Sequence, residues 1–476
     1  MSFRTKHLSK DCAGPRPEQD PSNPEALRAG RIVDRLERMP LSSWHLRARM
    51  VVGSATLFDA VDTLAIAYVL PVLVDQWHLS AQQVGSLIAA GYLGQLVGAI
   101  FFGLLAERVG RRTILIYTVA TYSILSLICA SAWDYGSLLV FRTLQGLGLG
   151  GEVPVAAAYI SEFAKARGRG RFFLLYEQVY SAGRVVAALL GIWMVLGLGW
   201  RSVFLCGGLS ALLVLILRRF LPESPRWLAS RGRLDEADQV VGKIEARILA
   251  EGRTLDPLPE VPSFHLHPRR AQTDLRELFS VMYRSRTLTT WALWFVAYLL
   301  MNGLSTWVPT LYRVVFRLPV QVSLNYGLVS SLAGFAGCLT VAFLIDWTGR
   351  RLWFALAFFF AAVSCLALWR LGPGSAAMVL MFTSITIFFI NSNAMLLFLH
   401  TSEIYPTRMR ALATSVASAW MRVASITGPI LIGWTLGYWH LGAVFLQFGL
   451  VALLGAAVAW QRSVETKERI LEEISP

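Results

Sequence analysis

Runs of about 20 apolar residues, each long enough to cross a hydrocarbon layer of about 30 Å as an α-helix, constrain this chain more than any other feature. They are too long for membrane-spanning β-strands. The chain is 55% hydrophobic and only 16% charged, whereas soluble domains carry roughly 25% charged residues. Because a water-soluble chain this apolar could not cover its surface, the sequence predicts an all-α membrane protein.

Length and hydropathy predict about twelve such transmembrane helices. Their limits fall near residues 50–74, 84–106, 113–132, 136–162, 172–197, 201–221, 287–312, 324–345, 352–370, 376–399, 411–436 and 440–460.

The joints between the spans differ in charge. Arginines follow every second span, as at Arg111 and Arg112 or at Arg350 and Arg351, whereas residues 133–136 contain no Lys or Arg. Positively charged loops stay in the cytoplasm. We therefore expect a multi-pass membrane protein with both termini cytoplasmic.

One joint is far longer than the others and contains four prolines between residues 257 and 268. It divides the spans six and six, as expected for a linker between two bundles. The polar segment before the first span lacks the apolar stretch of a signal peptide and predicts a flexible cytoplasmic tail. The expected divisions are a tail at 1–48, a bundle at 49–221, a linker at 222–286, a second bundle at 287–461 and a C-terminal tail at 462–476.

The two halves carry the same two motifs at nearly the same spacing. Gly103–Arg112 aligns with Ala342–Arg351, which lies 239 residues further along, and Ser161–Arg169 aligns with Ser402–Arg410 at an offset of 241. Two independent motifs at nearly one offset indicate a duplication. Parallel repeats of six spans, with the site between them near the midplane, are typical of two-bundle carriers.

These motifs resemble those of the major facilitator superfamily over nearly the whole chain. Gly103–Arg112 is similar to its loop 2–3 signature, and Arg142–Pro154 to the fourth-span signature of proton-coupled members. Pro222–Arg226 and Glu403–Arg408 are similar to segments of the sugar-porter and organic-ion branches. The resemblance implies the major facilitator fold, with twelve helices in two pseudo-symmetric six-helix bundles and a cavity lined by spans one, four, seven and ten.

Three segments look most like bacterial niacin permeases: Leu57–Asp62, Gly148–Val155 and Glu465–Lys467. Aromatic acid–proton symporters are the next nearest, with a similar pair of acids in span one. The chain departs from this pattern at Arg184, where some niacin permeases are expected to carry an uncharged aromatic residue. Span seven also lacks the Gln-rich run with which sugar porters hold hydroxyl groups, which disfavours a sugar substrate.

Four acidic residues stand out inside the predicted spans, where a charge costs about 2.5–3.5 kcal/mol at mid-helix. Asp59 and Asp62 are three residues apart and share a helix face, so their repulsion would raise the proton affinity of one. Glu152 follows a glycine-rich run that permits close helix approach, and Glu177 lies nearer the cytoplasm, as a gate residue would. We interpret these residues as proton-coupling candidates, with structural ion pairs or hydrogen bonds as the alternative.

Two arginines, Arg184 in span five and Arg422 in span eleven, lie at similar depth in equivalent spans of the two halves. Arginine keeps its charge, and its planar fork matches a carboxylate bidentately. Both are therefore candidates for binding a substrate carboxylate. The alternative is an ion pair with Asp59, Asp62 or Glu152, and the two arrangements can alternate as the site fills and empties.

Other polar and aromatic side chains lie at similar depth. Amides there can bond a ring nitrogen or a carboxylate, or they can simply join helices. Aromatic rings can stack on an aromatic substrate, although most rings in spans pack against neighbours or face lipid. The candidates are Asn302, Asn391, Asn393, Tyr180, Trp307, Phe388 and Trp420.

The repeated motifs are expected at the cytoplasmic ends of the spans. Their acids and arginines can form salt bridges between spans that hold an outward-open state and break on inward opening; orientation by positive charge alone is the alternative. The candidate gating residues are Glu107, Arg108, Arg111, Arg112, Glu162, Arg167, Asp346, Arg350, Arg351, Glu403 and Arg408.

Several classes of function lack support in the sequence. The net charge of +14 is spread over the joints rather than gathered in one patch, which disfavours nucleic-acid binding. The five cysteines form no CxxC or Cys/His cluster and no GxxxxGK[ST] loop is present, so we expect neither a metal site, a cofactor nor ATP-driven pumping. No triad or cofactor motif supports an enzyme.

We therefore predict a monomeric secondary transporter that imports a small organic anion together with a proton, by alternating access between the bundles. Nicotinate or a similar aromatic monocarboxylate is the favoured substrate. A sugar or polyol porter is the nearest alternative, followed by a drug efflux carrier and a receptor that binds without transporting.

Overall fold

The computed structural model describes residues 24–163, 169–259, 275–405 and 407–467, without the side chains of 169–177, 407, 408, 410 and 411. The described part is helical apart from short joints and a 3-10 turn at Leu275–Phe279. Its helices are α1 (Pro24–Glu37), α2 (Ser43–Trp77), α3 (Ala81–Val109), α4 (Arg111–Ala130), α5 (Tyr135–Phe163), α6 (Arg169–Leu198), α7 (Arg201–Gly208), α8 (Ala211–Phe220), α9 (Pro225–Ser230), α10 (Leu234–Ala250), α11 (Arg284–Phe316), α12 (Val320–Thr348), α13 (Arg350–Leu371), α14 (Ala376–Ile404), α15 (Thr407–Tyr438) and α16 (Leu441–Arg462).

Helices α2–α8 form one bundle and α11–α16 form the other, with α7 and α8 together taking the place of predicted span six. In the described part, eleven segments are long and apolar enough to cross a membrane. Predicted span four corresponds to α5, which has 29 residues but is less apolar because Arg142, Gln145 and Glu152 lie in it. These three side chains are buried, since α2, α3 and α4 surround the helix. The chain is a multi-pass membrane protein.

The glycines of α5 let this helix press against α3, as the sequence predicts. A methyl group added at Gly146 would lie 2.2 Å from the carbonyl oxygen of Gly91, and one at Gly150 would lie 2.1 Å from that of Gln95. Both contacts are with backbone, which cannot rotate away. The close packing places the middle of α5, with its charged residues, directly against its neighbours in the bundle.

Helix α1 was not expected, because the sequence predicted a flexible tail before the first span. Its apolar residues Ile32 and Leu36 are buried in a cluster with Val241 and Ile244 of α10. Ion pairs surround that contact: Arg35 lies 2.5 Å from Glu245 of α10. The charged residues that suggested disorder are thus the polar face of an amphipathic helix.

The membrane-spanning bundles have two distinct ends. We call the end that carries Arg111 and Arg350 the basic end, and the other the opposite end. The bundles touch through the pairs α3–α15, α2–α11 and α6–α12. Asp75 and Arg313 join them at the opposite end at 2.9 Å, the one ion pair that crosses between the bundles within the described ranges.

Glycines bring the bundles together beside that ion pair. A methyl group on Gly85 of α3 would lie 2.7 Å from the Pro429 carbonyl oxygen of α15, and one on Gly433 would lie 2.6 Å from that of Ala81. At the basic end, by contrast, the described ion pairs each stay within one bundle and its flanking segments. The opposite end is therefore the closed one.

Candidate functional site

Three acids lie at the middle of the N-terminal bundle. Asp59 and Asp62 of α2 and Glu152 of α5 are each at most 2% exposed. Thr56, one turn before Asp59, donates its hydroxyl to Glu152 Oε1 at 2.9 Å. The charges of Glu152, Asp62 and Arg422 all act on Asp59, so the acids form one electrostatic group. The structure thus brings together three of the four predicted proton-coupling residues; the side chain of Glu177 lies outside the described residues.

The two aspartates differ in their surroundings, although they share a helix face. Asp59 Oδ1 is buried without a hydrogen-bond partner, close enough to α15 to interact with Arg422. Asp62 faces the interior of its own bundle, where Ser126 donates to its Oδ1 at 2.9 Å. Gly207 of α7 leaves room for this carboxylate, because an added methyl group would lie 2.1 Å from Oδ1.

Arg142 holds this interior region together. Its guanidinium donates to the Asp62 backbone oxygen at 3.1 Å and to Gln145 Oε1 at 2.7 Å. The side chain is 2% exposed. Arg142 is therefore a neighbour of Asp62 on α2.

Arg184 and Arg422 are both buried, but only one of them has hydrogen-bond partners. Arg422 donates to the Ser418 hydroxyl at 2.7 Å and to the Gly150 carbonyl oxygen of the other bundle at 3.0 Å. Arg184 is 6% exposed, and its guanidinium makes no hydrogen bond or ion pair with any described residue.

Three tyrosines lie near enough to Arg184 for its charge to act on their hydroxyl groups: Tyr68, Tyr92 and Tyr180. Tyr68 reaches Ser331 of the other bundle at 3.1 Å, so this region borders the interface between the bundles. A buried guanidinium near phenol groups is an arrangement suited to binding a carboxylate.

Most of the predicted amides join helices. Asn302 donates to Ser425 at 2.7 Å, which ties α11 to α15. Asn393 points towards α13, where it donates to the Phe354 carbonyl oxygen at 3.4 Å. Asn391 Oδ1 is buried without a partner, beside Gly334, so this amide has an unused acceptor.

The predicted aromatic residues are spread over several surroundings. Trp307 is fully buried and donates to the Pro429 carbonyl oxygen at 3.1 Å. Trp420 is 37% exposed and packs against Trp291 of α11, because it lies two residues before Arg422 and so points to the other side of α15. Phe388 packs edge-on against Phe389. Of the predicted aromatic residues, only Tyr180 lies beside Arg184.

The repeated motifs form matching ion pairs at the basic end. Arg111 of α4 lies 3.0 Å from Glu162 of α5, and Arg350 of α13 lies 2.8 Å from Glu403 of α14. Glu107, Arg108 and Asp346 are exposed, and Asp346 lies 3.6 Å from Arg350. Arg112 and Arg351 donate to backbone oxygens of Arg218 and Trp460. Arg167 and the side chain of Arg408 lie outside the described residues, and a gating role for the whole set stays a prediction.

Two further acids, Glu223 and Glu465, cap helices at the basic end, and the sequence patterns alone did not assign them a role. Glu223 accepts from the backbone amides of Arg111 and Arg112 at the start of α4, and Glu465 accepts from those of Arg350 and Arg351 at the start of α13. Although burial opposes the shift, the backbone hydrogen bonds hold the pKa of Glu465 below its ordinary value. Their signal was in the sequence: both lie in the segments that resemble family motifs.

Two bundles of membrane-spanning helices around buried charges define a membrane transporter rather than an enzyme. A family model described as "Sugar (and other) transporter" matches residues 50–476. The chain therefore belongs to this family of the major facilitator superfamily and carries a small molecule.

Known proteins similar to this chain are also transporters. It is 34% identical to the niacin transporter NiaP of Acinetobacter baylyi over 93% of this chain and 99% of that one. It is 28% identical to the 4-hydroxybenzoate transporter PcaK of the same organism, over 86% of each. The xylose transporter XylE from E. coli, in a partially occluded inward-open structure, matches with a TM-score of 0.70 and 19% identity, over 90% of this chain and 100% of that one.

Proposed function

We propose that this protein imports a small organic anion, nicotinate or a similar aromatic monocarboxylate, together with a proton. The observation that carries the proposal is the buried guanidinium of Arg184, which has no partner among the described side chains. A permanent charge at mid-membrane is costly, and arginine cannot neutralise itself by losing its proton. An anionic ligand supplies the missing partner.

The surroundings of Arg184 favour an aromatic ring on that anion. Tyr68, Tyr92 and Tyr180 lie near enough to Arg184 for its charge to act on their hydroxyl groups, and their rings can pack against an aromatic ring of a bound anion. Niacin and 4-hydroxybenzoate, which name two of the relatives, both carry a carboxylate on an aromatic ring. We assign the ring to the tyrosines and the carboxylate to Arg184, with Asn391 as a further polar contact.

Proton coupling follows from the acids beside the bundle interface. Asp59 interacts with Arg422, which also donates to Gly150 of the facing bundle. A proton that binds the Asp59 carboxylate removes the attraction between Asp59 and Arg422, and thus one tie between the bundles. In the proposed cycle a proton and the anion enter from the opposite end, the bundles rock, and both leave at the basic end.

We also propose the orientation and the assembly. The basic end faces the cytoplasm of a bacterial inner membrane, because arginine-rich joints are retained there. Both termini then lie inside, with α1 and α10 as a cytoplasmic cap of the N-terminal bundle. The transporter works as a monomer, and its two halves keep the divisions predicted from the sequence.

A binding measurement tests the role of Arg184. Nicotinate should bind the purified protein and nicotinamide should not, because only the carboxylate matches the arginine fork. Arg184→Gln should weaken nicotinate binding by about 2–5 kcal/mol, which is roughly 30-fold or more. Arg184→Lys keeps the charge and should recover part of the lost affinity for nicotinate. Arg201→Gln, which removes an exposed arginine at the opposite end of the same bundle, is the matched control.

Two results would contradict the proposal. Equal affinity for nicotinate and nicotinamide would remove the carboxylate from the recognition, and unchanged affinity in Arg184→Gln would remove the arginine. Coupling is tested separately in proteoliposomes: uptake of labelled nicotinate should fall when the pH gradient is collapsed. Uptake that does not depend on the pH gradient would contradict proton coupling and would leave only the proposal of an anion carrier.

A sugar substrate is the second candidate, favoured by the description of the matching family. Hydroxyl groups of a sugar would engage the amide of Asn391 and the tyrosines rather than the charge of Arg184. Saturable xylose or glucose uptake that survives Arg184→Gln would support it and would displace the anion proposal.

A further inference from the structure

An open groove lies at the basic end of the C-terminal bundle, between the start of α11 and the end of α16. Its volume is about 410 Å³. Arg284, Ser285 and Arg462 line one part, and the remaining lining residues are Val281, Leu288, Thr289, Ala292 and Val458. The groove is therefore polar at its mouth and apolar along the membrane-spanning helices.

The charges at the mouth are available for a ligand. Arg284 and Arg462 are both exposed, and neither guanidinium makes a hydrogen bond or ion pair with any described side chain or backbone atom. Apolar side chains next to them are also exposed: Val281 is completely so, and Leu288 is 48% exposed. Within the part of the chain that the structure describes, two unpaired cations beside an exposed apolar wall form an amphipathic surface at the basic end.

The equivalent place in the N-terminal bundle is covered by the chain itself. With the repeat offset of 241, Val458 and Arg462 correspond to Leu217 and Leu221, which are 0% and 3% exposed. These leucines lie in one apolar cluster with Ile244 of α10. Among the described residues, the duplicated architecture thus has a cover on one half and an open groove on the other.

We propose that this groove binds an anionic phospholipid. The lipid phosphate lies between Arg284 and Arg462, and the first part of an acyl chain lies along Leu288, Ala292 and Val458. Basic pockets between membrane-spanning helices bind such headgroups, and each basic residue near a membrane surface strengthens the attraction. The described residues after α16, up to Lys467, lead away from the groove, because Lys467 donates to the Trp347 carbonyl oxygen at the end of α12.

Native mass spectrometry of the full chain in detergent tests the proposal. Phosphatidylglycerol and phosphatidylcholine with identical acyl chains are titrated, and one tightly bound phosphatidylglycerol is expected. The double variant Arg284→Gln/Arg462→Gln should bind it about 30-fold more weakly, given the contribution of each basic residue. Arg219→Gln, which removes an exposed arginine at the basic end of the N-terminal bundle, should leave the affinity unchanged.

A second variant tests the apolar wall while keeping both arginines. Ala292→Phe fills the groove and should also weaken phosphatidylglycerol binding, although no charge is lost. Equal binding of the two lipids, or equal loss in Arg219→Gln, would overturn the proposal. Complete competition by inorganic phosphate would reassign the arginines to a soluble anion, and tighter lipid binding after removal of residues 468–476 would make the chain's own end the occupant.

Discussion

The closed opposite end depends on glycine, and this leads to a prediction about the conformational equilibrium. A methyl group on Gly85 would lie 2.7 Å from the Pro429 carbonyl oxygen and 3.4 Å from the Cα atoms of Ile430 and Gly433. Carbon atoms pack best at about 3.5–4.0 Å. Because Pro429 contributes a backbone atom, Gly85→Ala can be accommodated only when α3 and α15 separate by several tenths of an ångström.

The cost of that contact falls on one conformation only. Overpacking costs typically about 1–3 kcal/mol, and the contact exists only while the opposite end is closed. The ratio of open to closed molecules should therefore rise about 5- to 150-fold. Gly85→Val should shift the ratio further than Gly85→Ala.

Distances between two spin labels provide the assay. Ser131 and Gly374 are exposed loop residues at the opposite end of the two bundles, and the population with the longer label distance should grow in Gly85→Ala. Gly197→Ala is the control, since nothing lies within 4 Å of a methyl group there. An unchanged distance distribution in a folded Gly85→Ala protein would refute the reasoning, and so would an equal shift in Gly197→Ala.

Three further predictions concern single interactions. Asp75→Asn breaks the ion pair with Arg313; the side chain of Asp75 is 42% exposed and that of Arg313 is 29% exposed. The ratio of open to closed molecules should therefore rise only about 1.4- to 5-fold, and not at all in 1 M salt. An undiminished effect in high salt would contradict this. Ser126→Ala leaves Asp62 without its hydroxyl donor and should lower the free energy of unfolding by about 1–3 kcal/mol, which a thermal melt would detect. Ser131→Ala at the surface should leave it unchanged. Helix α1 should detach only in acid. Although burial opposes the shift, hydrogen bonds from Arg35 of α1 and from Arg38, just after it, hold the pKa of Glu245 below its ordinary 4.5. The stabilisation is therefore present above that value and is lost as the pH falls through the lowered pKa. The protection of the α1 amides, which is their hydrogen-exchange rate relative to the intrinsic rate at each pH, should fall below pH 4.5 and stay constant from pH 6 to 8; loss of protection at pH 6 would exclude Glu245 as the cause.

The spans, the duplication and the depth of the charged residues could all be predicted, because hydrophobic length and helix rise determine them. The partners of those residues could not. Arg184 and Arg422 occupy equivalent depths, yet only Arg422 meets a carbonyl oxygen of the facing bundle. Which way a guanidinium turns depends on helix rotation and on contacts between the bundles, and neither is written in a local pattern.

The N-terminal segment shows a second limit of sequence reasoning. Its composition matched a solvated tail because charge and polarity dominate it. The apolar positions of α1 recur at helical spacing over only a few turns, and the matching ion-pair partners lie more than 200 residues away in the chain. Local hydropathy therefore does not predict a helix such as α1, which is stabilised by a partner so distant in sequence.

The carboxylate of Glu465 finishes the first turn of α13, although it lies at the far end of the same bundle in sequence. Shortening the chain to residue 463 would leave two backbone amides of that turn without an acceptor and would also take Thr466 away from Glu403. A fusion partner joined before Glu465 would therefore report on a loosened second half, whereas one joined beyond Lys467 keeps the contacts of Glu465 and Thr466.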